Sequence, residues 1–459
     1  MVEGPITGGN GAPFVAATTF DPAQVGYMQE EYFISGTATA YTSASTLTSD
    51  GNWTVTPAST AAYKTRILVY RPVKRSKFKG TVVVEWLNVS GGLDAAPDWI
   101  SAHTELIRDG FAWMGVSAQF VGVEGGGAIP GLPSMGIKQA DPVRYGSLSH
   151  PGDSFSYDMF SQAGQAIRQP AGVSPLGDLK IKKVIAAGES QSAFRLVTYI
   201  NGIDPLAQIY DGFLVHSRGG SGAPLSQSPQ PAITPPNPTF IRSDVRVPVL
   251  TFETETDLVS LGYFSNRQAD GDRFRLWEVA GTAHYDAYGL TVGMTDLGNS
   301  SSAADLIVTS TPIAGITCAS PINSGPQHFV LNAAFAALNK WVTRKKLPPQ
   351  AARLDVVAGS PPVITRDAHG NALGGIRTPS VDVPIAALSG LGQTGTAFCS
   401  LFGTTIRLDS TTLTSLYPKH SKYVSAVTKA TSSAVKAGFL LSPDAKLIKA
   451  SAKASSIGN

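Results

Sequence analysis

The sequence predicts an α/β chain with a mainly parallel central sheet flanked by helices, and three observations predict it. From residue 62 onward, short β-branched runs alternate with longer amphipathic stretches, the pattern of strands joined through covering helices. Glycine (47) and proline (31) make up about one residue in six, against roughly one in eight on average, so turns and long ordered loops are expected rather than a helical bundle. Apolar residues still reach 42% of the 459, enough for a sizeable core and too many for a disordered chain.

Taken in order, residues 64–72 and 81–87 read as strands, the second as Thr-Val-Val-Val-Glu-Trp-Leu. A helix over about 94–109 and a strand at 111–117 follow, then a Gly-rich irregular segment at 122–152. A helix near 153–168 leads into a buried strand at 181–187, and further strands lie at 212–216, 247–253 and 274–280. A helix at 326–345 closes this block. Residues 223–238 carry six prolines and 289–325 is rich in Gly, Ser and Thr, so both read as loop insertions. Beyond 346 come short β-like runs and then basic helices, in which Lys422, Lys429 and Lys436 recur on a wet stripe opposite Val424, Val427, Ala434 and Val435.

Charge and cysteine content exclude several function classes. Charged residues are 15% of the chain, yet no apolar run approaches the roughly 18 residues of a membrane span. The formal net charge of +3 is local: residues 419–459 hold seven lysines against Asp444 alone, leaving the main body acidic, which argues against nucleic acid as a partner. The two cysteines, Cys318 and Cys399, supply no zinc ribbon; they are one disulfide or two buried thiols. The histidines outside the site (His103, His150, His216, His328, His369, His420) stand singly with no metal-ligand spacing, and no phosphate-cradling glycine motif follows a strand, so no metal and no cofactor is expected. The N-terminal Met-Val-Glu-Gly carries no signal-peptide pattern and decides nothing about compartment.

The chemistry lies in Ile181 to Phe194, where an apolar strand runs into Gly188-Glu189-Ser190-Gln191-Ser192 and then a helix. That arrangement presents Ser190 at a sharp turn whose small flanking residues let strand and helix approach; Ser192 stands where Gly is usual. The Gln191 N–H opens the helix and is the first candidate oxyanion donor. The same loose pattern at Gly152 to Ser156 and Gly298 to Ser302 follows no apolar strand, so those two read as a helix cap and a loop. A serine needs a histidine to take its proton and a carboxylate to hold that histidine. The strand at 247–253 ends in Glu253-Thr254-Glu255-Thr256-Asp257, and the strand at 274–280 runs into Gly281-Thr282-Ala283-His284. Asp257 is the chosen acid, Glu255 its rival, and His284 the base. The order Ser190, Asp257, His284 fits an α/β-hydrolase and not the trypsin-like or subtilisin-like orders. The second oxyanion donor is placed on Asn88-Val89-Ser90-Gly91-Gly92, with Val89 N–H preferred and Ser90 next. Asn88-Val89-Ser90 is also formally a glycosylation sequon, read as chance because a glycan there would fill the site.

Gly188 to Ala193, Thr254 to Leu258, Trp277 to His284 and Asn323 to His328 together resemble the bacterial and fungal family named only as alpha/beta hydrolase domain proteins. The resemblance runs over nearly the whole chain, including Gly374 to Pro379 and the basic helices. It implies one enlarged domain over 1–459, with a core of about 62–345, an N-terminal extension at 1–61 and a C-terminal extension at 346–459. It implies a Ser190, Asp257, His284 triad, and a secreted or extracytoplasmic location with the signal peptide outside the given chain, a cytoplasmic one being the alternative. The expected function is a serine esterase cleaving carboxylic esters, small or polymeric, through an acyl-enzyme on Ser190. The alternatives are an acyltransferase or peptidase with the same triad, or an inactive binding protein on a hydrolase scaffold. The loops at 223–238 and 289–325 are expected to act as a lid; the oligomeric state is not read from the sequence.

Overall fold

The computed structural model describes residues 1–127, 134–396 and 398–459. It divides into two compact units, Met1–Val249 with Ser265–Gln268, and Leu250–Phe264 with Ala269–Asn459.

The first unit is built on strands β1 (Val2–Glu3), β2 (Tyr27–Thr42), β3 (Thr56–Pro72), β4 (Thr81–Trp86), β5 (Ala112–Val116), β6 (Lys183–Glu189) and β7 (Gly212–His216), in the order β1-β2-β3-β5-β4-β6-β7. Pairing is parallel through β5-β4-β6-β7 and antiparallel on the β1-β2-β3 side. The central strands read as mainly apolar runs, interrupted in β4 by Glu85, because helices cover both faces: every residue of β4, β5 and β7 is buried. The predicted strands and helices are present with ends displaced by a few residues, except that the strand expected at 64–72 begins eight residues earlier, at Thr56; the 181–187 strand runs Lys183–Glu189 and therefore delivers Glu189 directly to the turn. Residues 1–61 contribute the sixteen-residue β2. Residues Ser35 to Thr39 pair with Thr60 to Lys64 of β3, and the only side chains that Ser35 to Ala40 buries are those of Ala38 and Ala40, too small to give a strong apolar signal. The segment read as irregular at 122–152 contains short helices at Ile137–Ala140 and Pro142–Tyr145, while residues 128–133 lie outside the described part.

Two buried charge arrangements fix the loops that leave the sheet. Helix Pro97–Arg108 has Ala96 at its N-cap and so no capping side chain of its own. Glu85 of β4 serves instead, accepting the N–H groups of Asp98 and Trp99, each at 2.9 Å, and the Trp113 indole N–H at 2.8 Å. Burial and the neighbouring Asp98 push the Glu85 carboxyl well above the ordinary carboxylate range. Further along, Arg66 of β3 is fully buried between Asp94 (2.5 Å) and Glu31 (3.5 Å), and Arg144 holds the other Glu31 oxygen at 2.6 Å. Burial would depress the guanidinium, but Asp94 and Glu31 outweigh it and its pKa rises. Replacing Arg66 by Leu leaves Asp94 without its counter-charge in a dry site, so Arg66→Leu is expected to lower unfolding free energy by about 3–5 kcal/mol. A chemical-denaturation midpoint equal to wild type would refute that role.

In the second unit, β8 (Val249–Glu253) and β9 (Phe274–Glu278) are neighbours, and Val279 N–H donates to the Glu253 carbonyl at 3.0 Å. Helix Gln327–Arg344 is mostly buried, which explains its weak amphipathic signal. Helices His420–Ala437 and Ser442–Ala454 follow, and Tyr423, Val427, Thr431 and Ala434 form the inward stripe of the first while Lys422, Lys429 and Lys436 are exposed, as the sevenfold spacing predicts. Cys318 and Cys399 are joined, their Cα atoms 5.5 Å apart across 81 residues of chain. The bridge sits in a cluster with Ala287, Ile316, Ile322 and Phe402, against which Tyr285 and Leu290 pack, so it staples the segment just after His284. Chain-entropy arithmetic for a loop of this length gives about 4–5 kcal/mol. The Cys318→Ser/Cys399→Ser double variant is therefore expected to lose up to that much stability, read as a lower denaturation midpoint that reductant reproduces in the wild type. Among the described residues no helix is long and apolar enough to cross a membrane.

Candidate active site

Ser190 stands between β6 and helix Gln191–Thr198 with φ 57° and ψ −122°. A non-glycine residue held there is strained, a cost of order 1–3 kcal/mol that surrounding contacts must offset. Those contacts are visible. Ser190 N–H donates to the His216 carbonyl of β7 at 2.9 Å, and Phe194 N–H donates to the Ser190 carbonyl at 3.1 Å. The approach at Gly188 is close: a Cβ there would lie 3.1 Å from the Cβ, carbonyl carbon and oxygen of Ser192. The crossing of strand and helix is therefore tight, and the side chain that fills it is that of Ser192, which is fully buried. Gln191 occupies the first helical position, where its N–H has no intrahelical acceptor.

The Asn88 to Asp94 loop is tied to the same turn. Asn88 Nδ2 donates to the Glu189 carbonyl at 3.1 Å and to Glu189 Oε2 at 3.2 Å, while Asn88 Oδ1 accepts Ser90 N–H at 2.8 Å. This side chain is buried and fully engaged, which is incompatible with a glycan. Ser90 N–H is thus occupied, whereas among the described residues no acceptor is taken by Val89 N–H, the preferred donor of the pair. The far end of the loop is pinned by the Asp94–Arg66 contact.

In the second unit, His284 Nδ1 lies 2.6 Å from Asp257 Oδ1, both side chains buried. Asp257 is itself oriented: its Oδ2 accepts the Thr254 N–H and the Thr254 hydroxyl, each at 2.7 Å, in a capping box on helix Glu255–Val259. His284 N–H donates to Thr256 Oγ1 at 3.1 Å, and Thr256 Oγ1 donates to the Gly390 carbonyl at 2.6 Å. Glu255 has a different task. Its Oε1 accepts Gly281 N–H at 2.7 Å, and its Oε2 meets Gly390 N–H at 3.1 Å and Arg366 at 2.8 Å. The carboxylate on the histidine is Asp257, with Glu255 holding the loop that carries His284.

The predicted residues thus fall into two groups, Ser190, Gln191 and Val89 in the first unit and Asp257 with His284 in the second. Sequence reasoning passed over Asn88, Glu189 and Thr254 as site-building residues. Only Thr254 left a readable trace, the Thr-x-x-Asp spacing of a capping box. The proline-rich 223–238 segment, expected as a lid, is anchored at its start. Its first residues are tied down by Ala223 N–H to the Phe194 carbonyl (2.9 Å), Thr198 Oγ1 to the Ala223 carbonyl (2.5 Å) and Tyr157 to the Pro224 carbonyl (2.7 Å). Gln227 is held by Ser154 in both directions, so the segment is a fixed strap on the helix that follows Ser190. Among the described residues there is no group of three or more His, Cys, Asp or Glu arranged to hold a metal ion.

A mostly parallel sheet flanked by helices, with a serine turned out at a strand-to-helix junction and a buried His–Asp pair after later strands, defines the α/β-hydrolase class. The chain belongs to the alpha/beta hydrolase domain family, whose profile matches residues 2–450. The protein is a hydrolase by class. Solved structures to which the chain is similar include one of two fungal esterases from Rhizomucor miehei (10% identity, 68% of this chain and 85% of that one, TM-score 0.30). Another is XC6422 from Xanthomonas campestris, described as an a/b serine hydrolase without lid (11%, 53% and 83%, 0.28). A third is Est1E from Butyrivibrio proteoclasticus with ferulic acid bound (8%, 47% and 85%, 0.27). At these scores they carry no information about substrate. Among curated proteins none matches the sequence.

Proposed function

We propose that the protein is a serine hydrolase of carboxylic esters, with Ser190 as nucleophile, His284 as base and Asp257 as the acid that orients it. The observation that carries this reading is the 2.6 Å His284–Asp257 contact in the loop order that follows Ser190. His284 Nδ1–H donates to Asp257, which leaves Nε2 as the base that takes the Ser190 proton. Ser190 Oγ then attacks the ester carbonyl, the developing oxyanion is met by the N–H groups of Gln191 and Val89, and His284 returns the proton to the departing alcohol. Water, deprotonated by the same His284, releases the acid from the acyl-enzyme. The buried Cys318–Cys399 disulfide supports a secreted or extracytoplasmic location, since such bridges persist in oxidising compartments.

The test is a panel of p-nitrophenyl and alkyl esters of varied acyl and alcohol size, run beside amide and alcohol-acceptor controls, with labelling by a fluorophosphonate probe. Ester turnover with stoichiometric labelling is expected. Labelling without turnover of any ester, or turnover of amides alone, would reject the esterase assignment.

A further inference from the structure

Beneath Ser190 lies a second buried carboxylate–imidazole pair that the reaction scheme above does not use. His216, the last residue of β7, has its Nδ1 2.8 Å from Asp98 Oδ1, and both side chains are completely buried. Asp98 sits in the first turn of helix Pro97–Arg108, at the end of the loop that carries Val89. His216 is the register partner of Glu189, and its carbonyl is the acceptor for Ser190 N–H at 2.9 Å. The residue after it, Ser217, has φ 55°, so the chain turns sharply at the point where it touches the serine.

These contacts make a closed circuit. The loop from β4 to helix Pro97–Arg108 is fastened to the Ser190 turn at its start, through Asn88 and Glu189, and again just past its end, through Asp98 and His216. Asp98 is in turn anchored to β4, because its N–H donates to Glu85 at 2.9 Å. We propose that Asp98 and His216 are positioning residues that set the spacing between the two oxyanion donors, Val89 N–H on the loop and Gln191 N–H on the helix. The inference rests on the serine-hydrolase reading. Its physical basis is that an oxyanion hole works only when both donors sit 2.7–3.1 Å from the point where charge develops, and displacement by about 1 Å costs about 100-fold in rate. A bond between two buried groups on separate elements holds that spacing because breaking it leaves a charged carboxylate dry. Among the described residues, Asp98 Oδ2 has no hydrogen-bond partner, so His216 is the contact that fixes this carboxylate's orientation.

The experiment compares wild type, His216→Leu and His216→Asn, the last keeping an N–H donor near the place of Nδ1. Active sites are counted by fluorophosphonate titration so that kcat refers to competent molecules. His216→Leu is expected to lower per-site kcat about 10- to 100-fold with KM within about 3-fold of wild type, and His216→Asn to recover most of the loss. If His216→Leu does not fold, Asp98→Leu/His216→Leu, which leaves no bare carboxylate, is read in the same way. Per-site kcat equal to wild type, a loss that vanishes once active sites are counted, or no recovery in His216→Asn would each overturn the proposal. Turnover surviving Ser190→Ala would instead sink the serine-hydrolase reading, and the inference with it.

Discussion

Ser190→Ala is expected to lower kcat for ester substrates by about 10⁶-fold, to abolish fluorophosphonate labelling, and to leave the fold intact. The argument begins with the backbone. Ser190 is held at φ 57° by Ser190 N–H to the His216 carbonyl and by Gly188 against Ser192, contacts that do not involve its hydroxyl. Removing Oγ therefore deletes the proposed nucleophile while the strained turn persists. The measurement is a burst and steady-state assay on both proteins, with thermal unfolding as the control for folding. Residual labelling in the variant would identify another nucleophile, for which Ser154 and Ser300 are poor candidates. Ser154 is buried and spends its hydroxyl on the Gln227 carbonyl, and Ser300 caps a short turn by accepting Ser302 N–H.

The second large effect separates the two acids. Asp257→Asn is expected to lower kcat by about 10⁴-fold, because an amide facing His284 Nδ1 no longer enforces the tautomer in which Nε2 is the base. Glu255→Gln should leave kcat within about 3-fold while costing about 1–3 kcal/mol of stability, since Glu255 holds Gly281, Gly390 and Arg366 rather than the histidine. The two variants are compared by per-site kcat and by denaturation midpoint. A large kcat loss in Glu255→Gln with a mild one in Asp257→Asn would reverse the assignment.

Much of the fold was legible because parallel strands buried on both faces announce themselves. β4, β6 and β7 are mainly apolar runs, and each leads to a loop with chemistry at its end. β2 was not legible over Gly36 to Ala40, where the buried side chains are only the small Ala38 and Ala40, and its strand character there comes from pairing with β3 in a long antiparallel ribbon. The segment at 223–238 reads as a lid over the site from its place after a strand and its prolines; how its first residues are anchored was not legible. It is fixed by Ser154, Tyr157 and Thr198, residues 25 to 73 positions away from their partners in the strap.

By itself, the sequence determined the class. The small residues around Ser190 are dictated by the close crossing of strand and helix, and the order Ser190, Asp257, His284 follows from which strands end in loops on this fold. Only the tertiary structure shows which of Asp257 and Glu255, two carboxylates two residues apart in one short helix, faces His284 and which faces Arg366. It likewise decided that Cys318 and Cys399 are joined, and that His216, an isolated histidine in the chain, is paired with Asp98 across 118 residues. The physical reason is the same in each case. Local spacing fixes backbone conformation, but which buried polar groups satisfy one another is settled by long-range packing, where an unpaired charge is too costly to leave.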